Sequence, residues 1–325
     1  MADIEQFFNE KHVLVTGAAG FIGSNLTDKF LELGAKVTGI DNLFNGRRKN
    51  LENAFKNKDF QFYKGDIRDL NFLLDFSEGV DIIYHEAAFT SVPQSIKMPG
   101  LCNSVNVEGV INVLNAARKN DVDKVVFASS SSVYGDTPTL PKKETMRRIP
   151  ISPYGVSKLA GESYMQAFYE VYGIKTICLR YFNVFGPRQR DSPYSGVIAI
   201  WLGNILRNEN PVIFGDGKNS RDFTYIKDVV KANLLAGMHD APGEILNIGA
   251  GSPISLNDLA DLMLKLIGKQ SLQKEYTAPR TGDIVHSYAD ISKARELINF
   301  NPEYSQEDGL KDYIAWCNKK YNIKI

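Results

Sequence analysis

Residues 13–25 read VLVTGAAGFIGSN: a β-branched run, then Gly17, Gly20 and Gly23 at three-residue spacing, then the start of an amphipathic stretch. A strand that passes through a glycine turn into a helix opens a parallel α/β sheet. In such a unit the first glycine permits the tight turn, the second lets backbone approach a pyrophosphate, and the third lets helix and strand pack closely. The helix N-terminus then faces the phosphates. The spacing is GxxGxxG and not GxGxxG, and glycines also serve plain turns, so the rest of the chain has to carry the reading.

Six apolar or β-branched strings do so: HVLVTG, AKVTGID, FQFYKGD, VDIIYHEA, KVVFASS and IKTICLRYFN. Each ends in small or polar residues, as strands do where a parallel sheet presents its carboxyl edge. Ligands belong at that edge. Between the strands, 21–33, 69–77, 101–119 and 153–172 have helical spacing; in the third, Leu101, Val105, Ile111, Leu114 and Arg118 help separate an apolar from a polar face. The expected class is α/β, with a Rossmann-like doubly wound parallel sheet over residues 1–183. From about 184 glycine and proline punctuate GPRQRDSPYSG and FGDGKNSRD, and helical runs near 226–239, 256–267 and 306–320 are separated by brief strands such as EILNIG. This predicts a smaller α/β substrate-binding lobe over 184–325, interleaved with segments at roughly 224–250 that return to the first domain.

Charge narrows the partners. The 38 basic and 38 acidic side chains cancel, so no broad footprint for nucleic acid or an anionic membrane is expected, and any anion site is local. No stretch approaches the ~18–20 apolar residues of a membrane span. The start, MADIEQFFNEKH, lacks a basic region followed by an apolar one, and a cytoplasmic location is expected. Cys102, Cys178 and Cys317 are far apart and odd in number, and the four histidines are scattered, so neither a disulfide framework nor a metal centre is expected.

Asp41 ends the second strand, where a carboxylate can accept hydrogen bonds from adenosine ribose hydroxyls and repel a 2′-phosphate. That favours NAD over NADP, although Arg47 and Arg48 follow nearby. Asp66 and Ile67, after the third strand, sit where an adenine amine could be read. Glu86, Ala87 and Ala88, after the fourth, offer small side chains beside a dinucleotide. The Asp66–Ile67 and Glu86–Ala88 segments are each equally compatible with ordinary loop chemistry.

FASSSSVYG ends the fifth strand with Ser129, Ser130, Ser131 and Ser132, and SPYGVSKLAGE follows at 152–162. Among fifteen tyrosines, Tyr154 alone has a lysine four positions on. In isolation such a pair is a solvated rung on a helix face. Behind a dinucleotide loop and a serine run it reads differently. Phenol loses its proton near pH 10, so a tyrosine base at neutral pH needs positive charge beside it. Lys158 and an oxidised nicotinamide would both provide it. A serine can then hold the substrate oxygen while Tyr154 carries its proton.

These strings, with DNLFN, GDIRD, LRYFNVFGPRQ, SRDFTYIKDV and RTGDIVHSYADISKA, make the chain resemble the extended short-chain dehydrogenase/reductase family from about residue 12 to 300. Within that family it is similar to the nucleotide-sugar 4-epimerases, close to those acting on UDP-glucose and UDP-N-acetylglucosamine. The resemblance implies that Tyr154 deprotonates the sugar 4-hydroxyl as the C4 hydride passes to bound NAD. The 4-keto sugar then swings, presents its other face and regains the hydride. It further implies that Lys158 bonds the nicotinamide ribose, and that Ser130, with Ser132 as second candidate, contacts the sugar oxygen.

By the same resemblance Gly17, Gly20, Phe21, Ile22, Gly23, Asp41, Asn42, Asp66, Ile67, Ala87, Ala88, Asn106, Ser129 and Phe182 line the NAD site, with Tyr154 and Lys158. Asn183, Val197, Phe214, Arg221, Arg280 and Asp283 hold the nucleotide diphosphate, and the small Ser287 leaves room for a 2-acetamido group. Related dehydratases and decarboxylases carry an acidic residue near the segment that here reads SSSSVYG, which favours simple epimerisation. A homodimer through the helices near 101–119 and 153–172 is expected. Two alternatives stay open. One is a UDP-glucuronate 4-epimerase or decarboxylase, with Arg188 and Arg190 as partners for the C6 carboxylate; the other is a non-catalytic NAD-binding regulatory protein.

Overall fold

The computed structural model describes residues 2–189, 196–279 and 285–321. Seven strands form one parallel sheet: β1 (His12–Thr16), β2 (Lys36–Asp41), β3 (Phe60–Lys64), β4 (Ile82–His85), β5 (Lys124–Ser130), β6 (Lys175–Tyr181) and β7 (Glu244–Ile248). Their spatial order is β7-β6-β5-β4-β1-β2-β3. The chain winds one way from β1 to β3, returns to place β4 on the other side of β1, and winds outward from there. The switch between β1 and β4 opens a crevice at the carboxyl edge.

Both faces of the sheet are covered, and for that reason the strands read as nearly unbroken apolar runs. Alternate side chains feed two cores. Val13, Val15, Tyr84 and Val126 point to one, with Leu26, Phe30 and Val229; Leu14, Ile83, Val125 and Phe127 point to the other, with Val113, Leu114, Met165 and Phe168. Fully burying a side chain of that size contributes about 1.5–3 kcal/mol. The first core belongs to helices α1 (Phe21–Glu32) and α4 (Ile226–Met238), the second to α2 (Gly109–Lys119) and α3 (Pro153–Tyr172).

Helix α3 begins where Ser152 Oγ accepts from the Gly155 amide at 3.1 Å with proline at the first turn, and it stops at Gly173. The run expected at 101–119 is helical from Pro99 but passes through a π-turn at Ser104–Glu108 before α2. A further helix, Val197–Leu206, is apolar nearly all round; Ile198, Ala199, Trp201, Leu202 and Ile205 are buried, so no polar face discloses its period in the sequence.

Strand β7 and helix α4 bring the chain back to the sheet after residue 184. The remaining short strands among the described residues pair among themselves: Val184–Phe185 with Thr224–Tyr225, Val212–Phe214 with Glu275–Thr277, and Ser220–Asp222 between Pro253–Ser255 and His286–Ser287. Asp222 joins this part to the end of β7, its carboxylate accepting from the amides of Ala250, Gly251 and Ala289 at 2.8–3.0 Å. No helix among the described residues is long and apolar enough to cross a membrane.

Candidate active site

The crevice between β1 and β4 deepens into a cavity of about 1090 Å³, at the upper end of the roughly 300–1,000 Å³ common for ligand sites. Gly17, Gly20, Phe21, Ile22 and Gly23 line one end. Gly17 has φ +70°, and a Cβ there would stand 2.8 Å from the Ala87 amide nitrogen. At Gly23 a Cβ would fall 2.2 Å from the Gly17 carbonyl oxygen, so α1 starts hard against the turn. Asp41 is buried beside them. Its Oδ2 accepts from Ala19 N at 3.0 Å and its Oδ1 from Leu43 N at 2.7 Å. Burial raises the Asp41 carboxyl, and these two amides offset part of the rise.

The cavity continues past Asn42, Ile67, Ala87 and Ala88 to Ser129, Ser130, Ser132, Tyr154 and Asn183. Ser130 ends β5, and its Oγ accepts from Ser132 N at 3.1 Å and meets Ser132 Oγ at 3.0 Å. Ser129 donates to Glu162 at 2.5 Å, which commits its hydroxyl to the buried side. Tyr154 is half-buried at the first turn of α3. Burial pushes its phenol up to about 12, with the neighbouring Ser130 hydroxyl offsetting part of the rise. Lys158 lies behind, one turn on, with Nζ donating to the Ala128 carbonyl at 2.6 Å and 6.0 Å from the centre of the Tyr154 ring. Burial brings its ammonium down to about 8.

Several residues expected to line the site do not. Asn106 sits in the π-turn behind the wall, and its amide is used on both backbone groups of Phe89, at 2.7 and 3.1 Å, and on Ser157. It fixes the loop that carries the lining residues Thr90 and Ser91. Phe182 is fully buried with its amide bonded to Ile248 O. Asp66 is gripped by the Arg68 fork at 2.9 Å and by Asn42, which hold its carboxyl well below the usual range. Lys158 does not line the cavity; its Nζ is taken by the Ala128 carbonyl behind Tyr154.

Of the described residues expected to hold the nucleotide diphosphate, Asn183 alone lines the main cavity. Phe214 lines a second one of about 770 Å³ with Tyr276, Thr277 and Pro279. Val197 opens its helix, while Arg221 donates to the Ser220 and Val285 carbonyls and Ser287 is buried in the strand beside Arg221; these three line neither cavity. Arg280, Asp283 and Arg190 lie outside the described residues.

Two lining residues carry chemistry that their sequence motifs do not announce. The Glu86 carboxyl, beside the small Ala87 and Ala88, faces the cavity and accepts from the Tyr181 hydroxyl at 2.7 Å. Burial raises it to about 7. Its place directly after β4, beside the glycine turn, was the available signal. Tyr181, the last residue of β6, carries no motif that marks it out from its strand.

A continuous space from the glycine turn past Asp41 and Ile67 to Ser130 and Tyr154, with glycines where a Cβ would obstruct the turn, fits a dinucleotide. The comparisons with known proteins agree. Residues 13–249 match the NAD dependent epimerase/dehydratase family. The chain is 37% identical to the UDP-glucose 4-epimerase of Mycolicibacterium smegmatis, over 94% of this chain and 98% of that protein. It is 35% identical to the UDP-glucuronate 4-epimerase of Thermodesulfobacterium geofontis, over 97% and 98%. A solved UDP-N-acetylglucosamine 4-epimerase from Methanobrevibacter ruminantium M1, in complex with UDP-N-acetylmuramic acid, superposes with a TM-score of 0.92 at 38% identity, covering 96% of this chain and 99% of that one. Sequence, sheet order and crevice thus converge, and the chain belongs to the NAD dependent epimerase/dehydratase family.

Proposed function

We propose that the protein is an NAD-dependent UDP-hexose 4-epimerase that interconverts UDP-GlcNAc with UDP-GalNAc and UDP-Glc with UDP-Gal. The observation that carries this reading is the Tyr154 phenol on the wall of a dinucleotide-sized cavity that Ser130 and Ser132 also line, one helical turn from Lys158. The glycine turn, Asp41 and Ile67 would hold NAD, which supplies the acceptor and donor for the C4 hydride. Ser130, steadied by Ser132, holds the sugar 4-oxygen. Tyr154 takes the proton from that oxygen and returns it once the sugar has turned. Lys158 contributes the positive charge that favours the phenolate.

Residues 1–183 with the return at 224–250 form the NAD-binding domain in this reading, and the rest of 184–325 binds the nucleotide sugar. The protein acts in the cytoplasm as a homodimer. Exposed Val156, Tyr164, Val171 and Tyr172 on α3 support that pairing, which light scattering on the purified protein tests. The uronate alternative is weakened at Arg188, which is ion-paired with Asp28 and donates to the Ser24 carbonyl at 2.8 Å.

The experiment is a panel of UDP-glucose, UDP-N-acetylglucosamine and UDP-glucuronate, each incubated with the protein and followed by NMR. C4 inversion of the first two is expected. Inversion of the uronate alone, or loss of carbon dioxide from it, would replace this reading. A protein that binds NAD and turns over none of the three would be a regulatory binder.

A further inference from the structure

Glu86 follows β4, and its carboxyl shares the cavity wall with Ser130, Ser132, Tyr154 and Tyr181. Oε1 accepts from Tyr181 Oη at 2.7 Å, and that hydroxyl is held in turn by Asn233 Nδ2 at 2.8 Å. Among the described residues Oε2 takes no hydrogen bond, and no lysine or arginine forms an ion pair with the carboxyl.

The groups that face Lys158 come from every element around it. Phe127 of β5 presents its ring at 4.8 Å and Ala128 its carbonyl. Cys102 comes from the helix before the π-turn, Cys178 from β6, His85 and Glu86 from the end of β4, and Tyr154 and Glu162 from α3 itself. His85 pairs with Phe127 of β5, so Glu86, the next residue, stands beside Ala128, whose carbonyl takes Lys158 Nζ at 2.6 Å. Burial keeps both thiols protonated and pushes His85 down to about 3, so those three are neutral near pH 7. Glu162 is ion-paired, held on both oxygens by Arg180 at 2.7 and 2.8 Å. Glu86 is left as the one carboxylate among these described groups with no cation of its own.

We propose that Glu86 is a positioning residue of the proton-transfer centre: its carboxylate keeps Lys158 in the ammonium form, and the Tyr181 hydroxyl keeps Glu86 in the carboxylate form. The inference rests on the assignment of Lys158 as the charge partner of Tyr154. A lysine already weakened by burial loses its proton more readily once the neighbouring negative charge is removed. The phenol then loses the charge that favours its anion.

The ionisation of Lys158 is read without turnover from its 13Cε shift in lysine-labelled protein, the signal being assigned by its loss in Lys158→Arg. In Glu86→Gln the midpoint falls by about one pH unit, a tenfold loss of proton affinity. Tyr181→Phe moves it the same way by less, because Glu86 then ionises less readily, and Glu86→Asp restores most of the wild-type value. The alkaline limb of kcat/KM moves down in step. A midpoint equal in the wild type, Glu86→Gln and Tyr181→Phe overturns the proposal whatever the activities. A midpoint that moves while the limb stays put upholds the charge coupling and removes Lys158 from the proton transfer instead.

Discussion

Lys158 Nζ stands 6.0 Å from the centre of the Tyr154 ring and is bonded to the Ala128 carbonyl. In the proposed mechanism the lysine would therefore act on the phenol through space and not by a direct hydrogen bond, and its effect would depend on its charge. That charge is present below about pH 8 and is lost as pH rises through it, because burial has brought the ammonium down. Activity that needs the ammonium falls on the alkaline side. The kcat/KM profile for UDP-glucose should bend downward near pH 8, and a flat profile to pH 10 would remove Lys158 from the mechanism.

Tyr154 contributes little to the fold through its hydroxyl, since the residue lines the cavity and no hydrogen bond of that hydroxyl to the described residues ties it to the core. Tyr154→Phe should then leave the melting temperature nearly unchanged and lower kcat by roughly 100- to 10,000-fold, the range for losing a positioned acid–base group. Steady-state rates and a thermal melt on the same preparation check both halves. A mutant with full activity would end the proposed mechanism.

Arg180 and Glu162 are both fully buried and paired through two hydrogen bonds, with Tyr134 on Arg180 at 2.7 Å and Ser129 on Glu162. Removing one partner leaves the other as an uncompensated charge, a loss of about 3–5 kcal/mol. Glu162→Gln should show it as an earlier denaturant midpoint. Replacing both with apolar residues of similar size should cost much less, which separates the burial of a lone charge from the loss of the contact.

Gly23 tests the cradle. The Cβ of Gly23→Ala would overlap the Gly17 carbonyl oxygen at 2.2 Å, an atom of the turn that cannot rotate away. The turn has to shift, and overpacking of this kind costs about 1–3 kcal/mol. If the shift is expressed in the turn, NAD affinity falls about tenfold, the equivalent of 1.4 kcal/mol. Calorimetric titration with NAD measures it, and unchanged affinity would mean that the cofactor does not rest on this turn.

The sheet was legible in the sequence because a parallel strand buried on both faces writes its burial as an apolar string, and all six strings quoted for it became strands, with EILNIG joining as the seventh. Helix Val197–Leu206 was not, since a helix wrapped in core has no polar face to give its period. The cavity's nearest residues followed from motif position: Gly17, Asp41, Ser130 and Tyr154 lie at strand or helix ends, where spacing in the chain becomes spacing in the crevice. Asn106 and Phe182 show the limit. They occur in the right segments, but which way a side chain points depends on its local turn, and both point into the protein. Glu86 is the converse case, a charge aimed at the cavity that only the orientation of the residue after β4 reveals.

Ser287 bears on the choice of sugar. It is buried in the short strand beside Arg221 and lines neither cavity, so a gatekeeping role would have to act through the packing of that strand. A tyrosine there adds bulk that the strand cannot take without moving. Ser287→Tyr is thus expected to lower overall activity, and the informative quantity is the ratio of kcat/KM for UDP-N-acetylglucosamine to that for UDP-glucose, from which any loss of folded protein cancels. Restriction of the pocket around the 2-acetamido group lowers this ratio at least tenfold, about 1.4 kcal/mol of discrimination. A ratio equal to the wild type, with both rates reduced alike, would mean that Ser287 supports the lobe and that the room for the acetamido group is set elsewhere.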